Sequence, residues 1–339
     1  MHPRWILLLI LVAGCTFVHS QTIGDSSEPF RTTKTEKVSG DLFAPWKPLP
    51  KLDKRYVIQR EREVAGPNVP NLFVQDVAGT NPVSATIWFP NSRRVVLLDA
   101  SVTESGSILA SGYSVHEDGR IAHFIARTDQ AGKVEQVIRT TPFVADNVCS
   151  TNDGGVWAFG HDRDVENKVT QHDYTILRKF TFENGEDVSF LKKSDFPGRF
   201  AVWMNGGTSK PFYMRCTRDK VAVYSGMAGE YIELRLPTMK VHRWRLPDLG
   251  NAQMTGFAVT KSGIAHASFN SAASKEGMLG IFRLHTDDAT GLASWVPIPG
   301  SIKKYGEPDA INVLLGTEGD DLVFLYAGDY STLHWGSLR

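Results

Sequence analysis

The sequence predicts an all-β chain folded as a β-propeller of four-stranded blades, and three observations carry that expectation. Pairs of short apolar strands recur along most of the chain, tight turns rich in Gly, Asp and Asn separate them, and no long segment carries a helical period. Units of four strands repeating every ~40–60 residues cannot bury both faces alone, so they stack around an axis and the ring must close.

The inner strand pairs read in order as Arg94–Asp99 with Ser107–Gly112, Val144–Cys149 with Gly155–Gly160, Phe212–Cys216 with Lys220–Gly226, Thr255–Val259 with Gly263–Ser268, and Ile311–Gly316 with Asp321–Gly328. Gly112, Gly160, Gly226 and Gly328 end four of the five second strands. Outer hairpins follow, as in Ile121–Arg127 with Val134–Arg139, Glu230–Leu236 with Lys240–Leu246, and Leu279–His285 with Leu292–Pro297. Asn71–Val77 also fits the third-strand type, so six blades are preferred over five, one being degenerate and built from residues 54–90 or from the 193–211 insert. Thr332–Leu338 reads as a third strand with no fourth after it. An N-terminal strand, Val83–Phe89, is expected to complete that blade and lock the ring. The rival architecture is a large β-sandwich or two small β domains.

The element Asn152-Asp-Gly-Gly-Val-Trp-Ala-Phe-Gly160 resembles the inner-strand turn of bacterial NHL-like and streptogramin-lyase-like propellers. Ser105-Gly106-Ser107 and Lys261-Ser262-Gly263 are diluted copies of it. The resemblance covers the chain from about residue 71 as architecture, and it implies a fold rather than an activity, because propellers host unrelated functions.

The N-terminus carries a different kind of signal. Met1–Arg4 is a short basic start and Trp5–Val12 an apolar run too short to span a bilayer of about 30 Å, the pattern of a secretory signal peptide. Two exits compete. Val12-Ala13-Gly14-Cys15 resembles the bacterial lipobox and would leave Cys15 lipidated, whereas cleavage after Ser20 would release a soluble protein. The expected plan is a signal peptide over 1–14, a tether and lead-in strand over 15–70, and the propeller over 71–339. Arg31–Ser39 is polar and unpatterned and is expected to be mobile. The expected location is extracytoplasmic, lipid-anchored to a bacterial membrane or else secreted or periplasmic, with membrane contact only through that lipid.

Equal numbers of basic and acidic side chains, 37 of each, and the lack of a basic stripe exclude nucleic acid as the main partner. None of the local catalytic motifs is present: no G-x-S-x-G, H-E-x-x-H, C-x-x-C, P-loop or G-x-G-x-x-G. The expected function is a monomeric, non-catalytic binding module for a protein or glycan. The alternative is a propeller-type lyase or hydrolase with its active site at one mouth of the central channel. Two excursions from the repeat are candidate sites. Ser194–Lys210 contains Trp203 and Asn205, and long departures from a repeat are often binding loops. Asp162, Asp164, Glu166 and Asp173 stand at positions 1, 3, 5 and 12 of a calcium-loop spacing, with Asn167 where glycine is usual and Asp173 shorter than the usual glutamate. Trp88, Trp157, Trp244 and Trp295 are expected in the core, and His123, His266 and His285 to be structural. Cys149 and Cys216 are expected to be free buried thiols, since equivalent atoms in adjacent blades generally exceed the ~7 Å Cα limit for a disulfide except close to the axis.

Overall fold

The computed structural model describes residues 30–38, 50–61, 63–79, 82–164, 166–195, 212–226, 229–247, 253–270, 278–304, 307–329 and 331–337. The strands form six blades, here numbered along the chain with strands a to d from the axis outward. Blade 1 is Lys51–Asp53, Tyr56–Arg60, Leu72–Asp76 and Val83–Ala85, and blade 2 is Ser92–Val102, Ile108–His116, Ile121–Thr128 and Val134–Arg139. Blade 3 is Phe143–Ser150, Val156–Asp162, Thr175–Thr181 and Gly185–Lys192, and blade 4 is Phe212–Cys216, Lys220–Ser225, Glu230–Arg235 and Lys240–Arg245. Blade 5 is Gln253–Val259, Ala265–Asn270, Met278–Asp287 and Leu292–Pro297. Blade 6 takes a to c from Ile311–Glu318, Asp321–Tyr326 and Thr332–Ser337, and its d strand from Arg31–Lys37. The protein is therefore a six-bladed β-propeller, its apolar residues packed between successive blades.

The degenerate blade lies where the 54–90 reading put it, but two expectations are corrected. Val83–Ala85 is the d strand of blade 1 and does not close the ring. Closure falls to Arg31–Lys37, antiparallel to Thr332–Ser337, in a stretch expected to be mobile. The boundary expected at residue 71 accordingly cuts blade 1 between its b and c strands. The closing strand is hard to see in sequence because its own side chains are almost all exposed and its buried residues flank it: Phe30 and Val38. Phe30 packs at a tilt against Phe324, 5.4 Å between ring centroids, and fills the space over Gly336 where a Cβ would stand. The Val38 N–H donates to the Ser331 carbonyl and the Phe30 N–H to the Pro299 carbonyl of blade 5.

One turn recurs at the a-to-b corner. In blades 2, 3 and 5 a threonine (Thr103, Thr151, Thr260) donates its N–H to the carbonyl four positions on, and a glycine at positive φ (Gly106, Gly154, Gly263) donates back to the threonine carbonyl. The Thr103 and Thr260 hydroxyls accept a further N–H from Ser107 and Ile264, and in blade 3 the Asp153 carboxylate takes that place with Gly155. These are the three places at which the sequence shows the repeat. Gly112 and Gly160 have a different cause. Each lies beside a β-bulge of its a strand, where the carbonyl of Val96 or Val144 stands about where a Cβ would project, so only glycine fits. Gly328, aligned with them by spacing, is instead an exposed turn residue.

Cys149 and Cys216 form a disulfide, which corrects the expectation of free thiols. Both stand on a strands, of blades 3 and 4, in the innermost row where neighbouring blades approach most closely, and their Cα atoms are 5.6 Å apart.

Two outcomes follow. Phe30→Ala should cost about 3 kcal/mol in urea unfolding, and a chain starting at residue 39 should lose its single cooperative transition; melting like the full protein would show that the strand is dispensable. Thiol titration of denatured, unreduced protein should find neither Cys149 nor Cys216. Replacing both by serine should cost up to about 4 kcal/mol for a bridge closing so long a loop, and two free thiols in the wild type would overturn the assignment.

Candidate functional site

Strand alternation sorts the connections onto two faces. The a-to-b and c-to-d turns share one face, and they are short, from 54–55 to 77–82. Polar bonds tie this face across blades: Lys54 Nζ donates to the Val102 carbonyl and to Ser150 Oγ, Lys220 Nζ to the Gly263 carbonyl, and the Ser262 N–H to Asp320. The b-to-c and d-to-a connections share the opposite face and include 61–71, 163–174, 193–211, 271–277 and 298–310. This is the loop face.

The two excursions singled out in the sequence meet on it, at the junction of blades 3 and 4. The first opens as a small hairpin closed by an Arg163–Val169 bridge, with Asn167 at φ 60°, the left-handed conformation its position requires. The second begins with a 3-10 turn, Lys193–Asp195, clamped from both sides. Lys193 Nζ donates to the Thr170 and Gln171 carbonyls (3.1 and 3.3 Å), and Asp173 accepts from Ser194 N–H and Oγ, both at 2.9 Å. Those two bonds from Ser194 hold the Asp173 carboxyl below its usual range. From blade 4, Arg243 grips Glu230 with Nε and Nη2 (2.9 and 3.1 Å) and donates to the Asp195 carbonyl at 3.0 Å. Trp203 and Asn205 belong to the stretch that leaves this clamp and lie outside the described residues, as does Cys15.

The four carboxylates of the calcium spacing turn to four different partners. Asp162 pairs with Arg178 (2.7 Å), Asp164 caps the N–H groups of Glu166 and Lys168 (both 2.9 Å), Glu166 pairs with Lys168 (2.6 Å), and Asp173 holds Ser194. Among the described residues no group of three or more His, Cys, Asp or Glu side chains is placed to share one metal ion.

Around the axis, residues of all six blades line a central channel. Lys51 Nζ donates to Asp99 Oδ1 at 2.7 Å, and Asp99 Oδ2 accepts the Val148 N–H of blade 3 at 3.0 Å, so one carboxylate joins blades 1, 2 and 3. Glu63–Val64 adds a two-residue strand on the axis side of the blade 2 a strand.

The histidines divide. His161, buried, has Nδ1 2.6 Å from Asp146 and accepts from Arg163 Nε at Nε2 (3.2 Å), so both ring nitrogens are engaged. His266 has Nδ1 3.2 Å from the Ile264 carbonyl, the single bond expected of a structural histidine, whereas His123 has Nδ1 buried without a partner and His285 is exposed. Trp157 and Trp244 are in the core as expected, with Trp244 Nε1 donating to Asp288 at 3.0 Å, and Trp88 and Trp295 are half-buried. The contacts that join the excursions were invisible in sequence, because Asp173 and Ser194 stand 21 residues apart, and the brace from Arg243 comes from 48 residues beyond Asp195.

No protein-family model matches the chain, and no curated protein matches it by sequence. Solved structures do match. The β-propeller domain of Cps50 (Swd1) from Myceliophteria thermophila is 9% identical, with a TM-score of 0.45, over 89% of this chain and 99% of that one. The luciferin-regenerating enzyme is 9% identical, with a TM-score of 0.46, over 89% and 94%. Hsv2 from Kluyvelomyces marxianus is 12% identical, with a TM-score of 0.38, over 80% and 72%. Likenesses this distant carry nothing about activity or partner, and the propeller architecture rests on the strand pairing described above.

Burial pulls His123 and His266 down to about 4, with Arg163 and His161 adding to the effect on His123. Unfolded histidine takes up its proton near pH 6.5, so between about 6.5 and 4 the unfolded chain binds protons that the folded one refuses. Stability contributed by the two neutral rings is therefore complete above about pH 6.5 and is lost as pH falls towards 4, by up to about 3 kcal/mol each. Urea midpoints measured from pH 7.5 to 4.5 should fall, and His266→Gln should flatten that slope; an unchanged slope would mean the ring is charged when folded.

Proposed function

We propose that this chain is an extracytoplasmic binding propeller that holds a protein or glycan partner on its loop face. The observation that carries the reading is the inequality of the two faces: one is stitched from short turns, while the other bears the long connections, two of them clamped together across blades 3 and 4. A closed ring presenting long connections at one end is an arrangement suited to recognition. The Cys149–Cys216 disulfide fits an oxidising compartment, as does the apolar run at Trp5–Val12. The lyase or hydrolase alternative draws on the polar lining of the channel. There the two groups suited to acid–base work, Lys51 and Asp99, neutralise each other.

Photocrosslinking in the native host tests the reading. A photoreactive residue at Asp164 or Gln171, both exposed on the loop face, should give a discrete, saturable adduct, and the same probe at Glu104 or Asn152, exposed on the turn face, should not. Equal adducts from both faces, or none from the loop face, would reject it.

A further inference from the structure

The channel holds an open cavity of about 290 Å³ with a mixed lining whose polar members are Lys51, Arg60, Asp99, Asn147, Tyr213, Arg215 and Thr255. That is near the small end of the ~300–1,000 Å³ typical of small-molecule sites, too little for a folded segment and enough for a small organic acid. Three cations line it against one carboxylate. That carboxylate is already committed, since Asp99 holds Lys51 with one oxygen and the Val148 N–H with the other. Asp53, which also acts on Lys51, accepts Ser101 Oγ at 2.5 Å and the Val102 N–H at 3.0 Å at the turn end. Tyr213 donates its hydroxyl to the Met254 carbonyl at 3.0 Å. Arg60 Nη1 donates to the Leu97 carbonyl at 2.8 Å.

Arg215 is different. Its Nη1 donates to the carbonyl of its own neighbour, Met214, at 3.0 Å, while its Nε is buried with no partner. Among the described residues no carboxylate pairs with it. An arginine in the channel wall with no carboxylate partner lacks an anionic acceptor; its Nε is shut away, and the outer edge of a guanidinium, formed by its two Nη atoms, matches a planar carboxylate through two parallel hydrogen bonds. Burial pushes the Lys51 ammonium below its usual range, with Arg215 adding to that push against the pull of Asp99 and Asp53. An anion beside Arg215 would relieve this crowding of positive charge.

We propose that the central channel is a binding site for a small carboxylate-bearing ligand, seated on the outer guanidinium edge of Arg215 with Arg60 as the second cation. The site goes beyond the loop-face reading and stands or falls without it.

Calorimetric titration and thermal melts of the full chain with succinate, acetate, inorganic phosphate and chloride at matched ionic strength test it. Succinate should bind saturably and raise the melting temperature, phosphate should compete more weakly, and chloride should do neither. Arg215→Gln should abolish the succinate effect, while Arg218→Gln, an exposed residue on the turn face, should keep it. Arg215→Lys retains the charge but not the two-point edge and should bind at least about tenfold more weakly; it carries the test should Arg215→Gln fail to fold. Succinate acting no differently from chloride, Arg215→Lys binding as the wild type does, or phosphate binding more tightly than either carboxylate would each overturn the assignment.

Discussion

Much of this molecule is decided by how closely six inner strands can approach one axis. The approach is near enough that backbone meets backbone: a Cβ at Gly256 would strike the Leu314 carbonyl of the next blade, and one at Gly316 the carbonyl of Leu52. Strands so crowded cannot all stay in register. In blades 2, 3, 5 and 6 the a strand slips by one residue against b, at Leu98, Asp146, Thr255 and Leu315. Three of those extra residues, Leu98, Thr255 and Leu315, line the channel. A bulge re-aims its side chain, so the slip that relieves crowding also furnishes the channel wall. The same proximity brings Cys149 within bonding distance of Cys216 and lets Asp99 reach blades 1 and 3.

Closure adds a second demand. Each blade covers its neighbour, so an open ring would leave apolar faces on both sides of the gap. The seam runs through blade 6, where Thr332–Ser337 must find a partner from the other end of the chain. The partner strand contributes little burial of its own and is pinned at its ends, by Phe30 between blades 5 and 6 and by Val38 among the residues of blades 1 and 6. Next to the seam, blade 1 begins with only three residues at the axis, and its Lys51 and Lys54 reach into blade 2 and beyond to hold it there.

What could be read in sequence follows from these demands. The a and b strands of blades 2 to 6 were legible because burial on both faces makes them short apolar runs bounded by turns, and the Thr-to-Gly corner repeated often enough to align them. The closing strand was not, since an outer strand with one solvent face and its anchors outside its own limits shows no alternation. The disulfide was missed because blade spacing was judged as an average, whereas near the axis it shrinks. For the loop face, sequence located both excursions but not their meeting, which depends on Lys193 and Ser194 reaching back to Thr170, Gln171 and Asp173. The acidic spacing after Gly160 pointed to one shared centre; in space Arg178, Lys168 and Ser194 draw its members apart. Arg215 gave no signal at all, for nothing in Met-Arg-Cys tells that a guanidinium will stand at an axis with an unmatched donor.

The register of the seam has a consequence for how the molecule can be displayed. Lys37 sits beside Thr332, at the loop-face end of blade 6, and Arg31 sits beside Ser337, at the far end of the same sheet. The points at which the chain enters and leaves the ring are therefore neighbours, on the outer strands of blade 6, where the Phe30 N–H also meets the Pro299 carbonyl. A tether, a fusion partner or a solid support joined through either terminus would take hold at this one place on the outer edge of the ring. Force applied through both ends would then fall on a single short ladder, Arg31–Lys37 against Thr332–Ser337, and pass the other five blades by.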